Sequence, residues 1–347
     1  MLKLKQKSIL AKDLQLSVLI LVTIAILLLM AVMLGDKMYN ARNLSSMAFQ
    51  ISEFAVLALG MGIVMLLGGI DLSIVSNANL SGIMAAYVLT KSGLSEPVAV
   101  ILAVIVALGV ATAGGTINGL LITRFSVNPI VATLGTMILY QGISMAATRG
   151  QGITGFPKLF TDFGTGTFLS IPYLFWLLIF IAAAMVFVMN CTGFGKRIYL
   201  IGENHTAARF SSINNERMIT VAYAVAGLMA GFAALMIIAR VNSAKVGYGD
   251  TYLLQAILVC VLAGISPSGG KGKIAGVILA LLCIQVLQSA FTLWQFTPYA
   301  RRLIWGVMLL GLLFANKLAD NMDARQQKNK LLKEIEAKKQ SSKGGES

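Results

Sequence analysis

From residue 16 onward the chain returns repeatedly to apolar stretches close to twenty residues long, and this recurrence limits its fold more than any motif does. A hydrocarbon layer about 30 Å thick is crossed by about twenty helical residues. Backbone N–H and C=O groups cannot be left unpaired at that depth, so repeated stretches of this length point to an all-α polytopic membrane protein. Composition agrees. Of 347 residues, 57% are hydrophobic and 12% charged, with mean hydropathy +0.81, whereas soluble domains carry about 25% charged residues. One water-soluble core cannot absorb so apolar a chain.

Ten crossings are expected: Leu16–Leu34, Met47–Leu67, Leu72–Leu89, Pro97–Ile122, Pro129–Ala147, Pro172–Asn190, Ile219–Ala239, Thr251–Ile265, Ile274–Phe291 and Arg302–Asn316. Lys3, Lys5, Lys7 and Lys12 precede the first, as in a signal peptide, but its apolar run is long and no small-residue cleavage site follows. It reads as a retained helix. With the N-terminus in the cytoplasm, nineteen of the 28 Lys and Arg fall on inside segments and nine on outside ones, so the positive-inside rule puts both termini in the cytoplasm. The expected organisation is a basic N-terminus over residues 1–15, a transmembrane domain over 16–316 and a basic, partly disordered tail over 317–347. The net charge of +14 is spread over loops and tails, so it gives no nucleic-acid-binding face.

Chemistry-bearing constellations are few. His205 is the only histidine, and Cys191, Cys260 and Cys283 are odd in number, so neither a metal site, a catalytic triad nor a disulfide framework is indicated. The phosphate-cradling loop Gly-x-x-x-x-Gly-Lys-Ser/Thr is also missing. From Gly264 the spacing reaches Gly269 and then meets Gly270 where lysine is required; from Gly270-Lys271 the first glycine is replaced by Ile265. The chain is not expected to be an enzyme or to carry a cofactor. Energy for any active transport must come from a partner or an ion gradient.

The most informative segment is Gly68-Gly69-Ile70-Asp71-Leu72-Ser73-Ile74-Val75-Ser76-Asn77-Ala78-Asn79. A carboxylate, serines and asparagines follow an apolar helix without a loop long enough to leave the membrane. Buried charge at bilayer depth costs about 2.5–3.5 kcal/mol on insertion scales and is expected to face protein or a water-filled cavity. Asp71, Ser73, Asn77 and Asn79 are therefore candidates for a translocation path at a broken helix. The competing reading is an ordinary turn in which Asp71 caps a helix. A second junction, Leu262-Ala263-Gly264-Ile265-Ser266-Pro267-Ser268, echoes Leu67-Gly68-Gly69-Ile70-Asp71-Leu72-Ser73, as an internal repeat or by chance. Gly115 and Gly119 have the Gly-x-x-x-Gly spacing of close helix packing.

Two further segments stand out. The loop over residues 192–218 holds Glu203 to Ser211, with Phe210 reading as buried and the whole reading as a short capped helix offered to a partner. Arg149–Ile171, with five glycines, reads as a flexible gate or docking surface on the outside, or as a passive loop. Glu53 and Asp71 would be the acidic pair of a self-sufficient ion-coupled transporter, although Glu53 lies near a span end where it can reach water.

Taken together, the Gly-Gly-Ile-Asp-Leu-Ser turn, the span opening Asn128-Pro129 and running Ile-Val-Ala-Thr-Leu-Gly-Thr, and the Gly202-Glu203-Asn204 to Ala207-Ala208-Arg209 loop resemble the ribose-type permeases of bacterial ABC importers, a group that includes sugar and autoinducer-2 permeases. The resemblance runs from about residue 44 to 316. It implies a multi-pass protein of the bacterial inner membrane and an ATPase partner with two nucleotide-binding domains. It also implies an extracytoplasmic substrate-binding protein and a second permease copy or paralogue, with membrane lipids around them. It makes Gly202, Asn204, Ala207, Ala208 and Arg209 the coupling contact with the ATPase. Two departures are visible: Val75 stands where the family has glycine after the Leu-Ser pair and its aliphatic neighbour, and Ser212 interrupts the usual Ser-Gly-Ile after the coupling arginine.

Overall fold

The computed structural model describes residues 19–318 and is mostly helical. The basic N-terminus, the first residues of the first expected span and the tail beyond residue 318 lie outside the described residues. In chain order the helices are α1 (Leu19–Leu34), α2 (Asp36–Tyr39), α3 (Ala41–Leu66), α4 (Ile74–Lys91), α5 (Glu96–Arg124), α6 (Pro129–Thr148), α7 (Lys158–Thr165), α8 (Tyr173–Cys191), α9 (Gly193–Glu203), α10 (His205–Phe210), α11 (Asn215–Val241), α12 (Asp250–Leu262), α13 (Ile274–Leu293) and α14 (Pro298–Leu318).

Seven of these, α3, α5, α6, α8, α11, α13 and α14, are long and apolar enough to cross a membrane. The other three expected spans correspond to α1 and α12, which are shorter apolar helices, and to α4, 18 residues long, whose Ser76, Asn77, Asn79 and Ser81 dilute its apolar character. Several ends differ from expectation. The second expected span starts earlier, at Ala41, because Asn40 caps it with a side-chain oxygen that accepts from the Asn43 N–H.

Helix α3 is the hub. From Phe54 to Leu66 it is apolar on every side, 89% of its most apolar window is buried, and α8, α11, α12 and α13 surround it. Beside it, α5 packs along α11 through small residues. Ala99, Ala103, Ala107 and Ala111 are at most 2% exposed, and Gly115 and Gly119 continue the same four-residue stripe. A Cβ on Gly115 would meet the Tyr223 carbonyl and Gly227, and one on Gly119 would sit 2.6 Å from the Thr220 Cα. Backbones approach this closely because no side chain separates them, the packing mode that drives helix association where lipid removes the hydrophobic effect. The bulky residues of α5 point the other way, with Ile101 61% and Ile105 60% exposed.

The two ends of the bundle are built differently. One carries α7 and two short antiparallel pairings, β1 (Ile153–Thr154) with β4 (Ser243–Ala244) and β2 (Thr167–Phe168) with β3 (Ile171–Pro172). The other carries α9 and α10. The segment Arg149–Ile171 is packed onto the bundle at several points. Phe156 and Phe160 are buried, the Phe156 N–H donates to Asn242 Oδ1 at 3.0 Å, and Gly164 lies against the Ala239 backbone with no room for a side chain. Gly164 and Gly166 serve close packing, and Gly150 and Gly155 take positive φ in turns.

Candidate functional site

Helix α3 and helix α12 end alike. The Gly69 N–H donates to the Val64 carbonyl and the Gly68 N–H to Met65, while the Ile265 N–H donates to Cys260 and the Gly264 N–H to Val261. Gly68 and Gly264 both adopt φ near +80°, at 81 and 80. Each is a Schellman stop that needs a left-handed residue, which glycine adopts without steric penalty. The echo seen in sequence is therefore real at the level of backbone geometry, but its register is one residue away from the sequence match: Gly68 pairs with Gly264, not with Ala263. The two turns also touch. The Gly270 N–H donates to the Leu66 carbonyl at 2.9 Å, and a Cβ on Gly68 would stand 3.2 Å from the Ser268 carbonyl oxygen.

Beyond its stop, the α3–α4 turn is sunk into the bundle. Asp71 is 1% exposed, Ser73 0% and Asn77 1%. Asp71 Oδ1 accepts from the Ser73 N–H at 2.9 Å and the Ser73 Oγ at 2.7 Å, so it caps the turn that opens α4. The Ser73 Oγ in turn accepts from Asn118 Nδ2 at 2.7 Å, and Asn118 Oδ1 accepts from Thr136 Oγ at 2.6 Å. Thr133 Oγ donates to the Ile70 carbonyl at 3.1 Å. One turn further along α4, Asn77 Nδ2 donates to the Ala111 carbonyl at 2.8 Å, and Tyr140 Oη donates to the Gly114 carbonyl at 2.9 Å. A polar seam thus ties α4, α5 and α6. Asn118 lies six residues before the end of α5, roughly 9 Å along the axis at the usual helical rise, while Ser73 and Thr133 sit near the starts of α4 and α6.

Two polar atoms in this seam have no partner among the described residues: Asn77 Oδ1, pressed against Gly114, and Tyr223 Oη, pressed against Gly69. No Lys or Arg among the described residues forms an ion pair with Asp71. Asn79 does not belong to the seam. It is half-buried on another face of α4 and lines a small cleft with Lys245 and Tyr248.

Asn118 and Tyr140 were not singled out by sequence, and Thr133 and Thr136 appeared only as part of the motif that opens their span. Asn118 had a usable signal, an amide inside an otherwise apolar span, where polar residues are costly unless paired. The threonines gave no physical signal of a partner on another helix, because a Thr hydroxyl can satisfy itself on its own helix.

Glu53 behaves differently from expectation. It does not reach water: at 1% exposure it is held by the Arg240 guanidinium, through Nε and through Nη2 at 3.0 Å, and by Tyr252 Oη at 2.8 Å. This links α3, α11 and α12 near the α7 end. With its oxygens engaged, Glu53 is not a free partner for Asp71.

The segment between α8 and α11 folds as two helices, where sequence indicated one. Thr192 caps α9 and Asn204 caps α10, its Oδ1 accepting from the Thr206 and Ala207 N–H groups, each at 3.0 Å. Gly202 sits where α9 meets the α3 end, too close to the Leu66 carbonyl for any side chain. Ala208 is the buried anchor at 3% exposure, Ala207 and Arg209 face outward, and Phe210 is 87% exposed, the reverse of its expected burial. Arg209 and Phe210 therefore stand side by side on the surface, while Gly202 joins their segment to the turn that leads to Asp71.

The model of the family described as branched-chain amino acid transport system / permease component matches residues 43–313. The ribose import permease protein RbsC of Escherichia coli (strain K12) is 34% identical over 301 residues, which is 85% of this chain and 92% of that protein. RbsC of Bacillus subtilis (strain 168) is 33% identical over 287 residues, covering 82% and 88%. The autoinducer 2 import system permease protein LsrD of Yersinia enterocolitica is 33% identical over 276 residues, covering 76% and 81%. No solved structure matches the chain.

Proposed function

The chain belongs to the permease-component family of branched-chain amino acid transport systems, and on that premise we propose that it is the membrane-spanning subunit of a bacterial ABC importer for a simple sugar. The observation that carries the reading is its identity to the ribose import permeases along most of both chains. It is a multi-pass inner-membrane protein and a transporter subunit, with ATP hydrolysed by a partner. In this reading ten helices cross the membrane, α1, α4 and α12 joining the seven long ones, with residues 16–316 as the transmembrane domain and both termini in the cytoplasm. That orientation puts α9 and α10 on the cytoplasmic side. The partners are an ATPase with two nucleotide-binding domains, an extracytoplasmic binding protein and a second permease.

Asp71, Ser73 and Asn77 form the part of the path that opens, and Asn79 serves the same route from its separate cleft. In the structure the first three are sealed, which suits a closed state: a path residue must be satisfied by protein when water is excluded. The unpartnered Asn77 Oδ1 and Tyr223 Oη are the groups that gain most when water enters. Gly202, Asn204, Ala207, Ala208 and Arg209 form the coupling contact. Aromatic residues and arginine are enriched at protein interfaces, and an exposed Phe210 beside an exposed Arg209 supports docking there. Movement there reaches Asp71 through Gly202, Leu66 and the α3–α4 turn.

The test is sugar uptake by the reconstituted complex carrying Arg209→Glu or Phe210→Asp. Both side chains are exposed, so folding is preserved. Uptake and ATPase stimulation are expected to be lost while the soluble receptor still binds ligand; normal uptake by both variants contradicts the coupling assignment. Among ligands, autoinducer 2 is the alternative favoured by a specific observation, the similarity to LsrD.

A further inference from the structure

Beside the coupling segment lies a feature that the importer reading does not use. Arg197 on α9, Arg217 on the first turn of α11, and Ser211 and Ser212 in the turn between α10 and α11 line an open groove of about 500 Å³. Among the described residues neither arginine forms an ion pair. Glu216, next to Arg217 in the chain, lines the adjoining groove with Arg209 instead. The floor is not polar throughout: Met218 and Val221 extend it along α11, and Val221 is 39% exposed.

This combination selects a ligand class. Two guanidiniums flanked by hydroxyls recognise a phosphate group through charge-assisted hydrogen bonds. A free phosphate would use only that end. The apolar residues run up a helix of membrane-crossing length and hydropathy, so they suit a ligand whose phosphate continues into hydrocarbon. We propose that the Arg197–Arg217 groove binds the headgroup of an anionic phospholipid, with the start of its acyl chains along Met218 and Val221. Basic pockets at the membrane edge of helical bundles hold anionic headgroups on these grounds. The proposal requires only that α11 crosses a bilayer, so it stands or falls separately from the transported ligand.

The test uses the full-length chain in neutral detergent, with and without its ATPase partner, titrated with phosphatidylglycerol, with phosphatidylcholine of the same acyl chains and with inorganic phosphate. Bound lipid is read by native mass spectrometry. Phosphatidylglycerol is expected to bind roughly tenfold more tightly than phosphatidylcholine. The Arg197→Gln/Arg217→Gln double variant is expected to lose that preference, and the corresponding double Lys variant to keep most of it. Equal retention of phosphatidylglycerol by the wild type and the Gln double variant overturns the proposal. So does inorganic phosphate binding as tightly as the lipid, which would mark a soluble-anion site. Loss of ATPase association in the Gln double variant with unchanged lipid retention also overturns it, and assigns the groove to the ATPase.

Discussion

Asn118 shows how single residues hold the candidate site together. Its amide spans from the Ser73 hydroxyl on the α4 side to the Thr136 hydroxyl on α6. Replacing it by leucine keeps its volume approximately and removes both bonds. Thr136 can fall back on the Ala132 carbonyl of its own helix, but Ser73 loses a donor. Interhelical hydrogen bonds in membrane proteins average about 0.6 kcal/mol, so Asn118→Leu is expected to cost about 1 kcal/mol and to lower the melting temperature of the detergent-purified protein. An unchanged melting temperature would show that the seam does not bear load. The same scale shows what sequence could and could not reveal. Asp71 and Ser73 were legible because a carboxylate inside an apolar run demands a partner. Thr133 and Thr136 were visible as part of a motif, but their bonds to the turn and to Asn118 were not, because their side chains look satisfied in any helix. Phe210 was misread because an aromatic next to alanines reads as core; only the fold shows that Ala208 takes the buried position and turns Phe210 outward.

At the scale of elements, a helix stands at each of the ten expected positions and seven are long and apolar enough to cross a membrane, because length and apolar character are properties of one segment. Pairing between segments was not legible, with one exception. The α5 stripe of small residues runs from Ala99 to Gly119 at every fourth position, and its glycine end was visible as Gly115 and Gly119. Its partner face on α11, Gly227 and Gly231, has the same Gly-x-x-x-Gly spacing, but nothing within α11 announces which helix lies opposite. Gly227 has the Ala111 carbonyl and the Gly115 Cα against it, so Gly227→Leu must push α5 and α11 apart. It is expected to lower the yield of folded protein or destabilise it by about 1–3 kcal/mol, measured by thermal unfolding in detergent. Gly109→Leu on α5, where nothing lies within 4 Å, is the control expected to be tolerated. The α9 helix was missed because its glycines look like loop punctuation; Thr192 caps it regardless, and its burial against α3 and α8 holds it in place.

For the whole molecule, orientation and energy source decide the account. Cys191 is exposed at the α9 end, whereas Cys260 and Cys283 are buried, which makes the chain its own topology reporter. A membrane-impermeant maleimide is expected to label Cys191 in inverted vesicles and not in right-side-out ones; the opposite pattern would reverse the proposed orientation. The fold class was legible as a whole because hydropathy alone dictates it. The sealing of the polar turn was not, since it depends on Asn118 of α5 and Thr133 of α6. Glu53 bears on the energy source: bound to Arg240 and Tyr252, it is a structural strut between α3, α11 and α12, and an ion-coupled mechanism has lost one of its two carboxylates. The most direct measurement is labelled ribose uptake into proteoliposomes holding the permease, its ATPase and the binding protein, energised either by ATP at the nucleotide-binding face or by a sodium or proton gradient. Uptake that requires ATP and the binding protein and ignores ionophores is the predicted result; uptake driven by an ion gradient without ATP would contradict the assignment of this chain as an importer subunit powered by a partner.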